Sequence, residues 1–123
     1  MRHRLTLRAE RDIEDILRET LRTFGNRQVQ AYAEIIDRAV AMIVDDPERP
    51  STRSRTELAP GIRSFHMAHA SPRRRGASHI LYFSVIAERR EVVVLRVLHE
   101  KMEPRLRVGA DMVPADPPQD PCP

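Results

Sequence analysis

Apolar residues recur at helical spacing near the start of the chain. They stand three or four positions apart, at Ile13, Ile16, Leu17, Leu21 and Phe24, and charged residues fill the positions between them. This spacing predicts an amphipathic helix over residues 8–24. Thr6 is placed to cap its first turn, and Gly25 to end it. A brief strand at residues 4–7 is expected before the helix.

The same spacing resumes directly after Gly25. The apolar positions of this second segment are Val29, Tyr32, Ala33, Ile36, Val40 and Ile43. We predict a second helix that Asn26 caps and that Asp46-Pro47 stops. Because only one or two residues link the helices, they should form an antiparallel hairpin.

The pattern changes after the second helix. Residues 45–56 contain two prolines and few apolar side chains, which predicts a surface loop. β-Branched and aromatic residues then concentrate at residues 62–70, 78–87 and 91–99, which predicts three strands in a meander. Val92–Leu95 is apolar on both alternating faces, so the last strand should be central.

Length and composition limit the class of protein. A chain of 123 residues fits one domain, which we place at 1–108, and the prolines beyond it predict a disordered tail at 109–123. Apolar runs are only a few residues long, and no signal peptide follows the basic start, so we expect a cytoplasmic protein without membrane contact. The one cysteine, Cys122, can build neither a disulfide within the chain nor a multi-thiolate zinc site. No cofactor or metal site is predicted.

Charge is unevenly distributed along the chain. Residues 1–48 carry 8 basic and 10 acidic side chains, whereas residues 49–107 carry 13 basic and 5 acidic ones, a net charge of +8. Nearly all the basic residues are arginines, whose guanidinium groups bind carboxylates or phosphates through paired hydrogen bonds. Biased genome composition is an alternative explanation for the arginines.

Basic residues on or just after the predicted strands form the candidate partner-binding set. Its members are Arg63, Arg96, His99, Lys101 and Arg105. Strands would hold these side chains as a cationic surface against an acidic or phosphate-bearing partner, although a solvated strand face would have the same sequence. Arg96 interrupts an apolar strand, so it must reach water or a counter-charge.

Five histidines are candidates for a general base, and His66 and His99 are expected to approach each other across the sheet. We favour histidines that hydrogen-bond to neighbouring backbone, and we assign no catalytic residue. Arg73-Arg74-Arg75 marks a basic hairpin tip, either a nucleic-acid contact or a solvated charge run.

Several strand-region segments resemble ParE-type toxins of the RelE/ParE superfamily. The resemblance is carried by Glu57–Ser64, His79–Phe83 and Val94–Glu103, and by Thr6, Ala9, Asp12-Ile13 and Ile16 at the first helix, so it spans residues 3–107. The most specific piece is Arg96-Val97-Leu98-His99, which is similar to the ending typical of ParE.

This resemblance implies an α+β protein of the βααβββ type, with an antiparallel sheet packed against an N-terminal helical hairpin. It also implies the toxin of a type II toxin–antitoxin system involved in plasmid stabilisation. Such a toxin inhibits DNA gyrase by protein–protein binding and is neutralised by a cognate ParD-like antitoxin in a hetero-oligomer. The chain alone is not expected to bind nucleic acid directly.

The sister RelE branch implies a ribosome-dependent mRNA endonuclease instead. Nuclease-type members tend to have arginine early in the middle strand, where this chain has Ile80. Met102-Glu103-Pro104 follows the last strand, and no tyrosine follows Tyr82. We therefore keep the nuclease as the alternative. A third possibility is a degenerate toxin that retains only antitoxin binding or operator regulation.

Overall fold

A computed structural model describes residues 1–73 and 76–109 of the chain. Its main elements, in order, are β1 (Arg2–Leu5), α1 (Leu7–Phe24), α2 (Asn26–Asp45), β2 (Thr52–Ser54), β3 (Arg63–His66), β4 (His79–Ile86) and β5 (Glu91–His99). Three short 3-10 turns lie at Met67–Ala70, Ala87–Arg89 and Pro104–Leu106. The predicted α+β class, with a helical hairpin before the main strands, is confirmed.

The hairpin depends on two small residues. Thr6 caps α1 as predicted: its Oγ1 accepts a hydrogen bond from the Ala9 amide at 3.1 Å and donates one to the Leu95 carbonyl at 2.8 Å. Gly25 ends α1 and also precedes α2, at φ +90°. The prediction that Asn26 caps α2 was wrong, because Gly25 makes the whole reversal and Asn26 is already the first helical residue.

Within residues 1–73 and 76–109, five strands form one sheet in the order β1-β5-β4-β3-β2. β1 lies parallel to β5, with Arg2 paired to Glu91, while the other neighbouring pairs are antiparallel. The sheet is therefore mixed, not wholly antiparallel, and β5 lies inside it as expected. Because Thr6 caps α1, β1 ends at Leu5. The strand therefore covers residues 2–5 and not the predicted 4–7.

Two predictions about the strands need correction. Residues 45–56 are not wholly a loop, because β2 forms at Thr52–Ser54 and pairs with β3. The strand predicted over 62–70 ends at His66, whose Nδ1 accepts a hydrogen bond from the Ala68 amide and so caps a 3-10 turn.

Apolar side chains cover both faces of the sheet. The face toward the helices, the helix face, places Phe65, Leu81 and Val94 among residues such as Ile36 and Ile43. The opposite face, the far face, places Ile62, Tyr82, Val93, Leu95 and Leu98 beneath Ala59 and Val108. β5 is thus apolar on both sides, as predicted.

Some predictions concern residues outside the described ranges. Arg74, Arg75 and all of the predicted tail except Gly109 belong to this group. In the part of the chain that the structure describes, no helix combines the length and apolarity needed to cross a membrane.

Candidate partner-binding surfaces

Arg96 meets its counter-charge inside the molecule. Its Nε and Nη2 donate to the Asp12 carboxylate at 2.7 and 2.9 Å, and Asp12 also accepts the Val97 amide at 3.0 Å. Both side chains are mostly buried, with 17% of Arg96 and 14% of Asp12 exposed. The carboxylate raises the pKa of Arg96. This ion pair fixes α1 to the edge of β5 beyond the end of β1.

Arg63 also makes internal contacts. Its Nε donates to the Pro47 carbonyl at 3.1 Å, and its Nη2 donates to Thr52 Oγ1 at 2.7 Å. Arg63 pairs with Phe83 of β4, whereas His99 pairs with His79, four residues away along that strand. Four residues of strand are roughly 13 Å, so Arg63 lies away from His99 and the residues that follow it.

His99 lies at the end of β5, edge-on to His79, with the ring centroids 5.3 Å apart. The Tyr32 hydroxyl accepts the Ser78 amide at 3.3 Å and is hydrogen-bonded to His79 Nδ1 at 2.6 Å. Burial and the neighbouring His99 lower the pKa of His79 to about 4. Burial raises the pKa of Tyr32, which keeps its hydroxyl a donor. His79 is thus a half-buried neutral ring and not the solvent-side residue we expected.

His66 pairs with Glu100 and not with His99. Its Nε2 lies 2.7 Å from the Glu100 carboxylate, and its Nδ1 accepts the Ala68 amide at 3.1 Å. Since a backbone amide can only donate, Nδ1 carries no proton and Nε2–H donates to Glu100. This hydrogen bond lowers the pKa of Glu100. His99 Nδ1 similarly accepts the Lys101 amide at 3.1 Å, the backbone contact that we favoured.

A cleft with basic walls lies on the far face beside β2. This basic cleft has a volume of about 350 Å³ and is lined by Ser51, Arg53, Arg55, Ser64, His66, His69 and Ile80. Arg53 pairs with Ser64 across β2 and β3. The sequence reading missed Arg53 and Arg55 because their segment looked like a loop. The alternation of arginine and small polar residues from Ser51 to Arg55 was the signal available.

A second cleft lies at the end of the sheet that carries His99. The Phe24 cleft, of about 620 Å³, lies between α1 and the start of β4, with Ile16, Phe24, Tyr32, Ala77, His99 and Met102 among its lining residues. Phe24 is 69% exposed and Met102 is 43% exposed. Lys101 and Arg105, both exposed, follow β5. The cleft therefore combines exposed apolar side chains with His99 and with the carboxylates of Asp15 and Glu19.

A third concave surface follows the helices. The helical groove, of about 760 Å³, has an apolar floor made by residues of β1, α1 and α2, including Leu5, Ile13, Leu17, Ile36, Val40 and Ala41. His3, Asp37 and Asp45 lie along it. Exposed apolar surfaces of this kind, bordered by polar residues, mark protein interaction sites.

A family model described as the ParE toxin of the type II toxin–antitoxin system parDE matches residues 4–104. The chain belongs to the ParE toxin family. Among curated proteins, none matches its sequence.

Two solved toxin–antitoxin systems contain chains that are similar to this one. The chromosomal ParDE system of P. aeruginosa contains a chain that is 18% identical, with a TM-score of 0.61, over 80% of this chain and 95% of that one. The RelBE2 toxin–antitoxin complex of Mycobacterium tuberculosis contains a chain that is 26% identical, with a TM-score of 0.48, over the same shares of the two chains. The first likeness supports the fold of a ParE toxin.

The ParE match includes four of the five predicted site residues and stops just before Arg105. The structure does not unite the five as one cationic surface: Arg63 and Arg96 have contacts within the chain, and His99, Lys101 and Arg105 lie at or beyond the end of β5. Among the described residues, no three His, Cys, Asp or Glu side chains group as metal ligands.

Proposed function

We propose that this ParE toxin inhibits DNA gyrase by protein–protein binding and that a ParD-like antitoxin neutralises it. Membership of the ParE family over residues 4–104 carries the proposal. As a binder, the toxin would favour the gyrase state that holds cleaved DNA, since a ligand shifts a population only through differential affinity. The toxin itself breaks no bond.

The hydrogen bonds of the histidines support a role in binding. His66 and His99 each accept a backbone amide at Nδ1, and Nδ1 of His79 is hydrogen-bonded to the Tyr32 hydroxyl. His66 also donates to Glu100 from its other nitrogen. A general base needs a free lone pair near its substrate, and in His66 both nitrogens are already engaged.

The Phe24 cleft is the surface we assign to gyrase. Its rim combines the exposed Phe24 and Met102 with His99. Aromatic and methionine side chains are enriched in protein interfaces, and aromatic ones are typical of their energetic centres. Of the predicted set, the assignment retains His99, which lines the cleft, and gives Arg63 and Arg96 a supporting role.

The helical groove is the surface we assign to the antitoxin. A segment that folds on binding could place an amphipathic helix along this apolar floor. The groove and the Phe24 cleft both border α1, which contributes Ile13 and Leu17 to the first and Ile16 and Phe24 to the second. An antitoxin that wraps α1 would therefore cover the gyrase surface as well.

Purified toxin is expected to accumulate linear, protein-linked DNA when mixed with gyrase and supercoiled plasmid, and to leave a translation extract active. Phe24→Ala should lose this effect, whereas Leu7→Ala should retain it, because Leu7 is a comparably exposed apolar residue at the other end of α1. Arrest of translation without any change in DNA topology would contradict the proposal.

A ribosome-dependent mRNA endonuclease is the second candidate. The observation in its favour is the basic cleft, which combines two arginines with two histidines, groups that can steady a phosphate during phosphoryl transfer. Cleavage of ribosome-bound transcripts that disappears on a single substitution in this cleft would establish it in place of gyrase inhibition.

A further inference from the structure

The basic cleft has a lining that suits an anion. Two arginines, two histidines and two serine hydroxyls face it, with Ile80 as the apolar wall, and none of the described carboxylates lines it. Arg53 and Arg55 are two residues apart along an extended segment, so their side chains leave the same face. The cleft is held by strands β2, β3 and β4, which give it a rigid base.

Arg55 is already held in position. Its Nε donates to Glu57 at 2.7 Å, its Nη1 donates to Ser64 Oγ at 3.5 Å, and its guanidinium lies 5.5 Å from the centre of the Tyr82 ring. A guanidinium has five N–H groups, so others remain for a ligand. Because the side chain is ordered beforehand, binding costs less conformational entropy.

Arg53 supplies the charge that remains to be matched. Among the described residues the ion pairs include Arg55 but not Arg53. Two carboxylates outside the cleft pair with its residues, Glu57 with Arg55 and Glu100 with His66. Arg53 opposite Ser64 therefore offers a fork of N–H groups beside a hydroxyl, a combination suited to a singly charged phosphodiester.

The small size of the cleft indicates the kind of phosphate. A volume of about 350 Å³ lies at the lower end for pockets that enclose a whole small molecule. A backbone phosphate needs no such enclosure, because the rest of the polynucleotide passes outside the protein. Contacts of this type fix the position of a protein on nucleic acid without reading its sequence.

We propose that the basic cleft receives a backbone phosphate of a nucleic acid, namely the DNA that gyrase holds; the identity of that DNA rests on the proposed function. One phosphate contact gives weak binding that falls with salt, and it modifies the expectation that the chain alone does not bind nucleic acid directly. The phosphate contact becomes stronger in effect once the toxin is bound to gyrase, because the cleft then meets the gyrase-held DNA within one complex, at a high effective concentration.

The cleft is tested first without gyrase. Inorganic phosphate and a short DNA duplex should each shift the backbone amide resonances of Arg53 and Ser64 in an NMR titration of the full chain. Arg53→Gln should weaken the duplex titration by about three- to tenfold and lower its salt dependence by about one phosphate contact. Arg27→Gln, an exposed arginine at the start of α2, is the matched control and should titrate like the wild type.

A single-stranded RNA of the same sequence separates the two sources of phosphate. Shifts that depend on Arg53 with RNA but not with DNA would overturn DNA as the ligand and leave RNA in its place. If Arg53→Gln, Arg27→Gln and the wild type titrate equally, the proposal that the basic cleft binds a phosphate is wrong.

Gyrase provides the second measurement. Arg53→Gln should raise the toxin concentration for half-maximal DNA cleavage by about three- to tenfold and leave binding to gyrase without DNA unchanged. If wild-type toxin has no effect on gyrase, the proposed function fails. The duplex titration still shows whether the basic cleft binds a backbone phosphate. If Arg53→Gln matches the wild type in both gyrase assays, the contact with gyrase-held DNA is wrong.

Discussion

Asp12 stabilises the fold through three hydrogen bonds at one carboxylate. It accepts two from Arg96 and one from the Val97 amide. Removing one partner of a mostly buried ion pair leaves the other charge without compensation. We expect Asp12→Asn and Arg96→Gln each to lower the free energy of unfolding by about 1–3 kcal/mol, measured by urea denaturation.

The double variant tests whether the loss arises from this contact. Asp12→Asn combined with Arg96→Gln should cost less than the sum of the single changes, because neither then leaves a lone charge. Asp15→Asn, in the exposed pair with Arg18, is the control and should cost much less. Additive losses would show that the two residues act independently.

His79 should make stability depend on pH. An unfolded histidine has a pKa near 6.5, and burial beside His99 lowers the folded value to about 4. Between these values the unfolded chain binds the proton and the folded chain does not, so stability is complete above pH 6.5 and falls progressively toward pH 4. The loss should be on the order of 1–2 kcal/mol, since partial exposure of the ring screens the full effect.

Urea midpoints measured from pH 7.5 to 4 check this expectation. His79→Gln should flatten the curve between about pH 6.5 and about pH 5, the upper part of the window set by the His79 pKa values. His3→Gln, an exposed histidine of β1, should leave the slope unchanged. An unaltered slope in His79→Gln would assign the dependence to other groups.

For single residues, the sequence showed which side chains require a contact more reliably than it showed which residue supplies that contact. It showed that Arg96 required a counter-charge, since the residue interrupts an apolar strand, but nothing local identified Asp12, which lies 84 residues earlier. It likewise favoured backbone contacts for the histidines, and His66 and His99 make them. It did not predict that His79 of β4 contacts Tyr32 of α2. Contacts between distant elements depend on the register of the whole sheet.

Gly25 allows α1 and α2 to meet with no linker between them. Its backbone has φ +90° and ψ 178°, a region that is almost reserved for glycine. A Cβ there would meet no atom within 4 Å, so the cost of a side chain lies in the backbone alone. Gly25→Ala should lower the free energy of unfolding by about 1–3 kcal/mol.

Asn26→Ala is the control for this variant. The Asn26 side chain makes no capping bond at the start of α2, so its loss should change stability little. Thermal denaturation of both variants measures the difference. A larger loss in Asn26→Ala than in Gly25→Ala would restore the capping role that the sequence suggested.

Elements with a long periodic pattern were predicted well, and short ones were not. Both helices and the two long strands agree with the spacing of their apolar residues to within a few positions. β2 has only three residues, and only Thr52 of them is buried, so neither alternation nor β propensity marked it. Its strand pairing depends on β3, which a local pattern cannot show.

Across the whole molecule, the helical groove and the Phe24 cleft are separate surfaces. A substitution in the groove should therefore disrupt antitoxin binding and leave gyrase binding intact. Ala41 is exposed on α2 and lines the helical groove, whereas Ala31 is exposed on the same helix and does not. Ala41→Glu should weaken antitoxin binding at least about tenfold, which is about 1.4 kcal/mol, because a charge would enter an apolar contact.

Calorimetric titration of the antitoxin into each variant measures this effect. Ala31→Glu should bind like the wild type, and Ala41→Glu should still act on gyrase, since the groove is separate from the Phe24 cleft. Equal weakening by both variants would mean that the antitoxin lies elsewhere on α2.

The parallel pairing of β1 with β5 sets the order in which the chain can fold. Arg2–Leu5 pairs with residues 91–94, so the first strand to be synthesised waits for the last one. Pairings of such high sequence separation carry a large loop-closure cost and slow the formation of a sheet. A nascent toxin therefore cannot complete its sheet until nearly all of the described chain has left the ribosome.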